Sequence, residues 1–191
     1  MFITDRIPKQ LEKIQQLDTQ NFDFTTFYKN LIKGSKMNYF LIDEHPKMVF
    51  KAIKKKCIGI KAAGGLVENS RGDYLFIFRN KKWDLPKGKV EKEEKVKVAG
   101  VREVEEECGV KIDKRGKRLC KTYHIYELNA KVVLKSTSWY KMEVKGKPKL
   151  IPQKEEGITT ASWVNESRIK NKLKNTYPLI MEVLRARKIK C

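Results

Sequence analysis

The chain has 191 residues, 40% apolar and 35% charged, with a net charge of +20. That length suits one domain of ordinary size with an extension, and that apolar share excludes a disordered chain. No apolar run is long enough to cross a membrane, and the opening MFITDRIPKQ lacks the apolar stretch of a signal peptide.

The four cysteines form no CxxC pair and there are only two histidines, so a structural zinc site is not expected. Reduced thiols in a cytoplasmic protein are the simplest reading. The positive charge points to polyanionic partners: a phosphate-rich small molecule first, with nucleic acid left open.

Residues 1 to 56 read as a mainly helical N-terminal extension. Ile7, Leu11 and Ile14 recur at i, i+4, i+7, and Phe24, Phe27, Tyr28 and Leu31 form a second apolar stripe. Gly34 ends that second helix, and Met37 to Phe50 reads as short strands or loop. Nothing in this extension carries recognisable chemistry. It could cap the domain, form a dimer contact or bind a partner, and the oligomeric state stays open.

The remaining residues, 57–191, form the main domain. CIGIKAAGGLVEN, a turn over Ser70 to Asp73, and YLFIFRN predict a β-hairpin. Trp83-Asp84-Leu85-Pro86-Lys87-Gly88 then turns into the stretch GKVEKEEKVKVAGVREVEEECGV, Gly88 to Val110. A helix is expected from about Lys95 to Cys108, with Val98, Val101, Val104 and Cys108 on one stripe at about 100° per residue. Glu103, Glu106 and Glu107 are spaced i, i+3 and i+4, so the spacing predicts a second face that presents three carboxylates outward. Gly109 ends the helix.

Like charges gathered on one face cost a few tenths of a kcal/mol each. Hard divalent cations such as Mg²⁺ seek that kind of oxygen cluster, together with substrate phosphates. The competing reading is a solvated acidic face paired with nearby lysines. The charge distribution favours a site. Residues 111–154 carry thirteen Lys/Arg against three acids, whereas residues 88–110 carry five against seven, so the acidic stretch is an island in a basic chain.

Gly88, Glu94, Arg102, Glu103, Val104, Glu106, Glu107, Gly109 and Val110 match the Nudix box G-x5-E-x7-R-E-U-x-E-E-x-G-U without gap or substitution. The chain therefore resembles the Nudix hydrolase family over about residues 57–191. The resemblance implies an α/β Nudix fold, a mixed β-sheet sandwiched between helices. It also implies Mg²⁺- or Mn²⁺-dependent hydrolysis of a nucleoside diphosphate linked to a further moiety. By motif position, it implies Glu103, Glu106 and Glu107 as metal ligands, completed by the backbone carbonyl of Lys87. Arg102 and Glu94 are implied as the pair that orients the box loop.

The general base is not fixed by the motif. Glu106 and Glu107 lie in the box, while Glu155 and Glu156 precede a late strand, with Glu156 the downstream choice. Arg79, Lys81, Lys82, Lys87 and Lys89 surround the box loop and are candidate phosphate contacts. Trp83 either borders the nucleotide pocket or packs in the core.

Downstream, Arg118 to Leu128 and Lys131 to Val144 predict strands joined at Asn129. A loop over Pro148 to Glu156, a strand over Ile158 to Val164, and helices over Glu166 to Lys174 and Pro178 to Arg187 complete the chain.

Leu85-Pro86-Lys87-Gly88, together with Tyr126, is similar to the dinucleoside polyphosphate hydrolase branch, in which Tyr126 would stack on a base. Lys121 to Tyr126 is also similar to the diphosphoinositol polyphosphate branch. Removal of pyrophosphate from an RNA 5′ end is a further enzymatic reading, although no RNA-binding module is visible. A Nudix-fold binding module without catalysis is the reading from a different class.

Overall fold

The computed structural model describes residues 2–4, 14–17, 22–31 and 38–189. They fall into two compact units, residues 1–59 with 125–134, and residues 60–124 with 135–191.

The first unit holds strands β1 (Phe2–Thr4) and β2 (Ile14–Leu17), helix α1 (Phe24–Leu31), strand β3 (Asn38–Ile42) and helix α2 (Pro46–Lys55). β3 lies between β1 and β2 in a parallel three-stranded sheet. Among the described residues, the segment expected to be mainly helical holds eighteen residues in two helices and twelve in three short strands. Ile14, assigned to a helical stripe, pairs with Asn38 instead. Ile7, Leu11 and Gly34 lie outside the described residues.

Pro46–Lys55 is a helix, which begins inside the Met37 to Phe50 stretch read as short strands or loop. Pro46 in its first turn needs no hydrogen-bonded N–H there, and Val49 and Ile53 at i, i+4 turn one face inward. Phe24, Leu41 and Ile53 are the buried centre of this unit.

The main sheet is built from β4 (Ile58–Asn69), β5 (Tyr74–Arg79), β6 (Lys82–Asp84), β7 (Lys87–Lys89), β8 (Lys114–Leu128), β9 (Lys131–Val144) and β10 (Ile158–Val164). Its order is β10-β5-β4-β9-β8, with β6 on β5 and β7 on β4. Helix α3 (Val96–Cys108) follows β7, and helices α4 (Glu166–Leu173) and α5 (Pro178–Ala186) close the chain. The Asn129-Ala130 turn between β8 and β9 has φ of 50° and 57°, the positive values a tight hairpin requires.

Strand alternation gives the second unit a core on each face of the sheet. Ala63, Val67, Leu75, Ile77 and Met142 pack with Ala99, Val104 and Cys108 of α3. Leu66, Phe76 and Trp139 pack with Ile169, Ile180 and Leu184 of the last two helices. This is the α/β sandwich that the sequence predicts. Among the described residues, no helix is long and apolar enough to cross a membrane.

Candidate active site

Helix α3 presents the three spaced glutamates, but it is rotated from the expected phase. Val98 is 51% exposed, whereas Ala99, Gly100, Val104, Glu107 and Cys108 are buried. A Cβ on Gly100 would stand 3.3 Å from Tyr140 and 3.4 Å from Ala63, so the helix sits close on the sheet along its small residues. The carboxylates are therefore graded in depth and not presented outward together. Glu107 is 2% exposed, while the Glu103 and Glu106 side chains are 14% and 50% exposed. Gly109 ends the helix with φ 64°, as expected.

The loop opposite is held by the sheet. Gly65 N–H donates to the Pro86 carbonyl at 3.2 Å, and β7 pairs with β4 through Gly64–Lys87 and Ala63–Gly88. That pairing sets Gly88 against the Glu103 carboxylate, and a Cβ on Gly88 would overlap its oxygens. Lys87 N–H donates to Glu107 Oε2 at 2.8 Å. The Lys87 ammonium turns to Asp84, 3.1 Å away.

Two arginines organise the acids. Arg102 forks onto Glu94 with two bonds of 2.9 Å, and its Nη1 reaches Glu103 at 2.9 Å and Glu106 at 2.8 Å. Its Nη2 also donates to the Lys89 carbonyl at 3.1 Å, tying the loop to the helix. Arg79, at the end of β5, reaches Glu107 at 3.2 Å and Glu156 at 3.3 Å.

Glu156 arrives because the preceding loop lies across the end of α3. Ile151 N–H donates to the Cys108 carbonyl and Gln153 N–H to the Glu107 carbonyl.

Burial pushes the Glu107 carboxyl up to about 7, against the Lys87 ammonium and N–H and the Arg79 guanidinium, which favour its charged form. Burial also raises Glu103, with Arg102 opposing. Hydrogen bonds from Arg102 lower Glu94 and raise Arg102 itself.

The structure therefore brings together Arg79, Lys87, Glu94, Arg102, Glu103, Glu106, Glu107 and Glu156. Lys89 contributes its carbonyl, while its side chain is exposed. Tyr126 lies on the distal part of β8, in the first unit. Trp83 packs beside Phe78, with the Lys172 ammonium 3.5 Å above its ring.

Sequence reasoning missed Lys135 and Asp84. Burial lowers Lys135, as do Lys87 and Arg79 nearby, while Asp84 and Glu107 oppose. A lysine following Val132-Val133-Leu134 in a strand was the available signal.

The NUDIX domain family model matches residues 60–184. The chain belongs to the Nudix family. Its fold is similar to that of a MutT protein from Methanosarcina mazei Go1, with 22% identity, TM-score 0.55, and coverage of 70% of this chain and 96% of that one. It is also similar to an Ap4A hydrolase from C. elegans, with 20% identity, TM-score 0.53, and 68% and 95% coverage. A third likeness is the E. coli dihydroneopterin triphosphate pyrophosphohydrolase, with 13% identity, TM-score 0.54, and 65% and 92% coverage.

As a Nudix protein, the chain is a pyrophosphohydrolase, of a family that acts on phosphate-containing nucleotides and uses divalent metal ions. The donor set fits such an ion: three carboxylates within two turns, two of them with raised proton affinity that a cation would relieve. Among the described residues, no three His, Cys, Asp or Glu side chains converge into a preassembled cage. The guanidiniums of Arg102 and Arg79 occupy the carboxylate oxygens instead.

Proposed function

We propose that this Nudix enzyme hydrolyses a pyrophosphate bond in a nucleoside or dinucleoside polyphosphate, with a diadenosine polyphosphate favoured. The observation that carries the proposal is the setting of Glu107. It is a buried carboxylate on a backbone N–H, with Arg79, Lys87 and Lys135 among the charges around it. Acid and cation side by side suit a polyanion that arrives with its own metal ions.

Glu103, Glu106 and Glu107, with Lys87 at the loop, hold the divalent cation, Mg²⁺ or Mn²⁺. That cation, when bound, neutralises the pyrophosphate and acidifies water. Arg79, Lys87 and Lys89 receive the phosphates, Arg79 turning to them from Glu107 and Glu156. Glu106 or Glu156, each half exposed, takes the proton from the attacking water. Arg102 and Glu94 fix the helix against the loop. Leu85-Pro86-Lys87-Gly88 and the likeness to the Ap4A hydrolase fold support the dinucleoside choice.

A 5′-triphosphate RNA is the second reading. β8 is an edge strand whose Lys114, Arg115, Lys117, Arg118 and Lys121 are all exposed.

The test is product analysis with Mg²⁺ or Mn²⁺ on diadenosine polyphosphates, NTPs, ADP-ribose, a diphosphoinositol phosphate and a 5′-triphosphate RNA. ATP or ADP plus AMP from a diadenosine polyphosphate, lost in Glu107→Gln, is expected. Turnover of no member would sink the catalytic reading in favour of a binding module.

A further inference from the structure

β8 ends the main sheet and pairs on one side only, with β9. Its stretch from Lys114 to Tyr126 carries five Lys/Arg and no Asp or Glu. Lys114, Arg115, Lys117, Arg118 and Lys121 are all exposed. Lys114 and Arg115, like Lys117 and Arg118, are sequence neighbours, so strand alternation puts cations on both faces of the edge. An edge strand uses charge to block pairing with another chain, and a solvated face mixes both signs. Five cations of one sign, two of them arginines, exceed what either role asks.

Little of this charge is spent within the fold. Glu143 takes Lys141 at 2.6 Å and Lys114 only at 3.6 Å. Arg115 lies 5.5 Å from the centre of the Tyr140 ring and donates to the Gly116 carbonyl at 3.0 Å. Lys117 and Arg118 meet no carboxylate among the described residues. Asp113, just before the strand, accepts from the Lys145 N–H at 2.7 Å.

An aromatic ring continues the strip. Thr122 is buried, and its hydroxyl accepts from the Trp139 indole N–H at 2.8 Å. Alternation therefore turns its neighbours Lys121 and Tyr123 to the other face, where Tyr123 is 42% exposed. From Lys114 to Tyr123 the strip runs roughly 30 Å at the rise of a strand. It lies wholly in the second unit.

We infer that this edge of β8 binds single-stranded nucleic acid along its backbone, the five cations on successive phosphates and Tyr123 stacked on a base. A charged track and an exposed ring are the two elements such binding uses. Phosphates strung along a polymer suit cations strung along a strand, and no single group has to meet them all. An acidic peptide matches the charge but gives Tyr123 no flat partner, and a bilayer surface calls for apolar side chains among the cations. The inference concerns binding and not turnover, so it stands whichever substrate the carboxylate site cleaves.

The test is fluorescence anisotropy of the full chain with a labelled 5′-hydroxyl oligouridylate of about twelve nucleotides. It is run in EDTA at several salt concentrations, so that neither metal nor a terminal triphosphate enters the readout. Saturable binding is expected, with log K falling against log salt at a slope of about −3, the counterion release of four or five single-strand phosphates. Lys117→Gln with Arg118→Gln should weaken binding about tenfold and flatten the slope by about one. Tyr123→Ala should weaken it at least about fivefold at unchanged slope, and Tyr123→Phe should retain it. Lys51→Gln with Lys55→Gln, an equal charge change at exposed positions of α2, should alter neither affinity nor slope. An oligodeoxythymidylate of the same length tells RNA from DNA as the strand bound, and either supports the inference. Absence of saturable binding, equal loss in the two double variants, or polyglutamate or phosphatidylserine vesicles bound as tightly as the oligonucleotide would each overturn it.

Discussion

The Lys87 backbone N–H donates to Glu107 Oε2 across 2.8 Å, joining the loop before α3 to the last turn of that helix. The bond stabilises the charged carboxylate, yet burial outweighs it and holds the carboxyl near 7, above its ordinary 4.5. The folded chain thus binds this proton more tightly than the unfolded chain. Without divalent cation, the stability from this group is full below about pH 4.5 and is lost as pH rises through 7. The loss is on the order of 3 kcal/mol at most. Urea midpoints in EDTA should fall between pH 5 and pH 8, and Glu107→Gln should flatten that slope. Identical slopes would mean that Glu107 titrates normally.

Gly88 is required by proximity to Glu103 and not by its backbone angle. Gly88→Ala should force the Glu103 carboxylate aside. We expect turnover to fall by about 100-fold, the cost of a small misplacement of a working group, with circular dichroism unchanged. Full activity in this variant would mean that Glu103 can move without consequence.

The fork from Arg102 to Glu94 has two 2.9 Å bonds, both partners being less than one-third exposed. Arg102→Lys keeps the charge and loses the fork. A double-mutant cycle with Glu94→Gln, read by chemical denaturation, should give a coupling of about 1–3 kcal/mol. Additive losses would reduce the pair to a surface contact.

Arg79 spans Glu107 and Glu156, a reach that a lysine's single ammonium does not reproduce. Arg79→Lys should raise KM for the polyphosphate by roughly tenfold and change kcat by less than about threefold, as loss of uniform binding does. A fall in kcat at constant KM would instead assign Arg79 to the transition state.

The sequence alone determined what depends on neighbours along the chain. The spacing of Glu103, Glu106 and Glu107, the end of α3 at Gly109, the Asn129 turn and strands β4, β5, β8, β9 and β10 follow from local periodicity and turn chemistry, whereas the short β6 and β7 do not. The tertiary structure alone decided depth and long-range partnership. Val98 faces out and Glu107 faces in because Ala99 and Gly100, the small residues, let α3 approach Ala63 and Tyr140. Arg79 meets a glutamate 28 residues away and another 77 away, and Lys135 joins them from a different strand. The three short strands of the N-terminal segment depended on β3 lying between β1 and β2, a pairing no single stripe records. Helical phase and sheet order set which side chains leave water, and burial is what raises the proton affinity of Glu107.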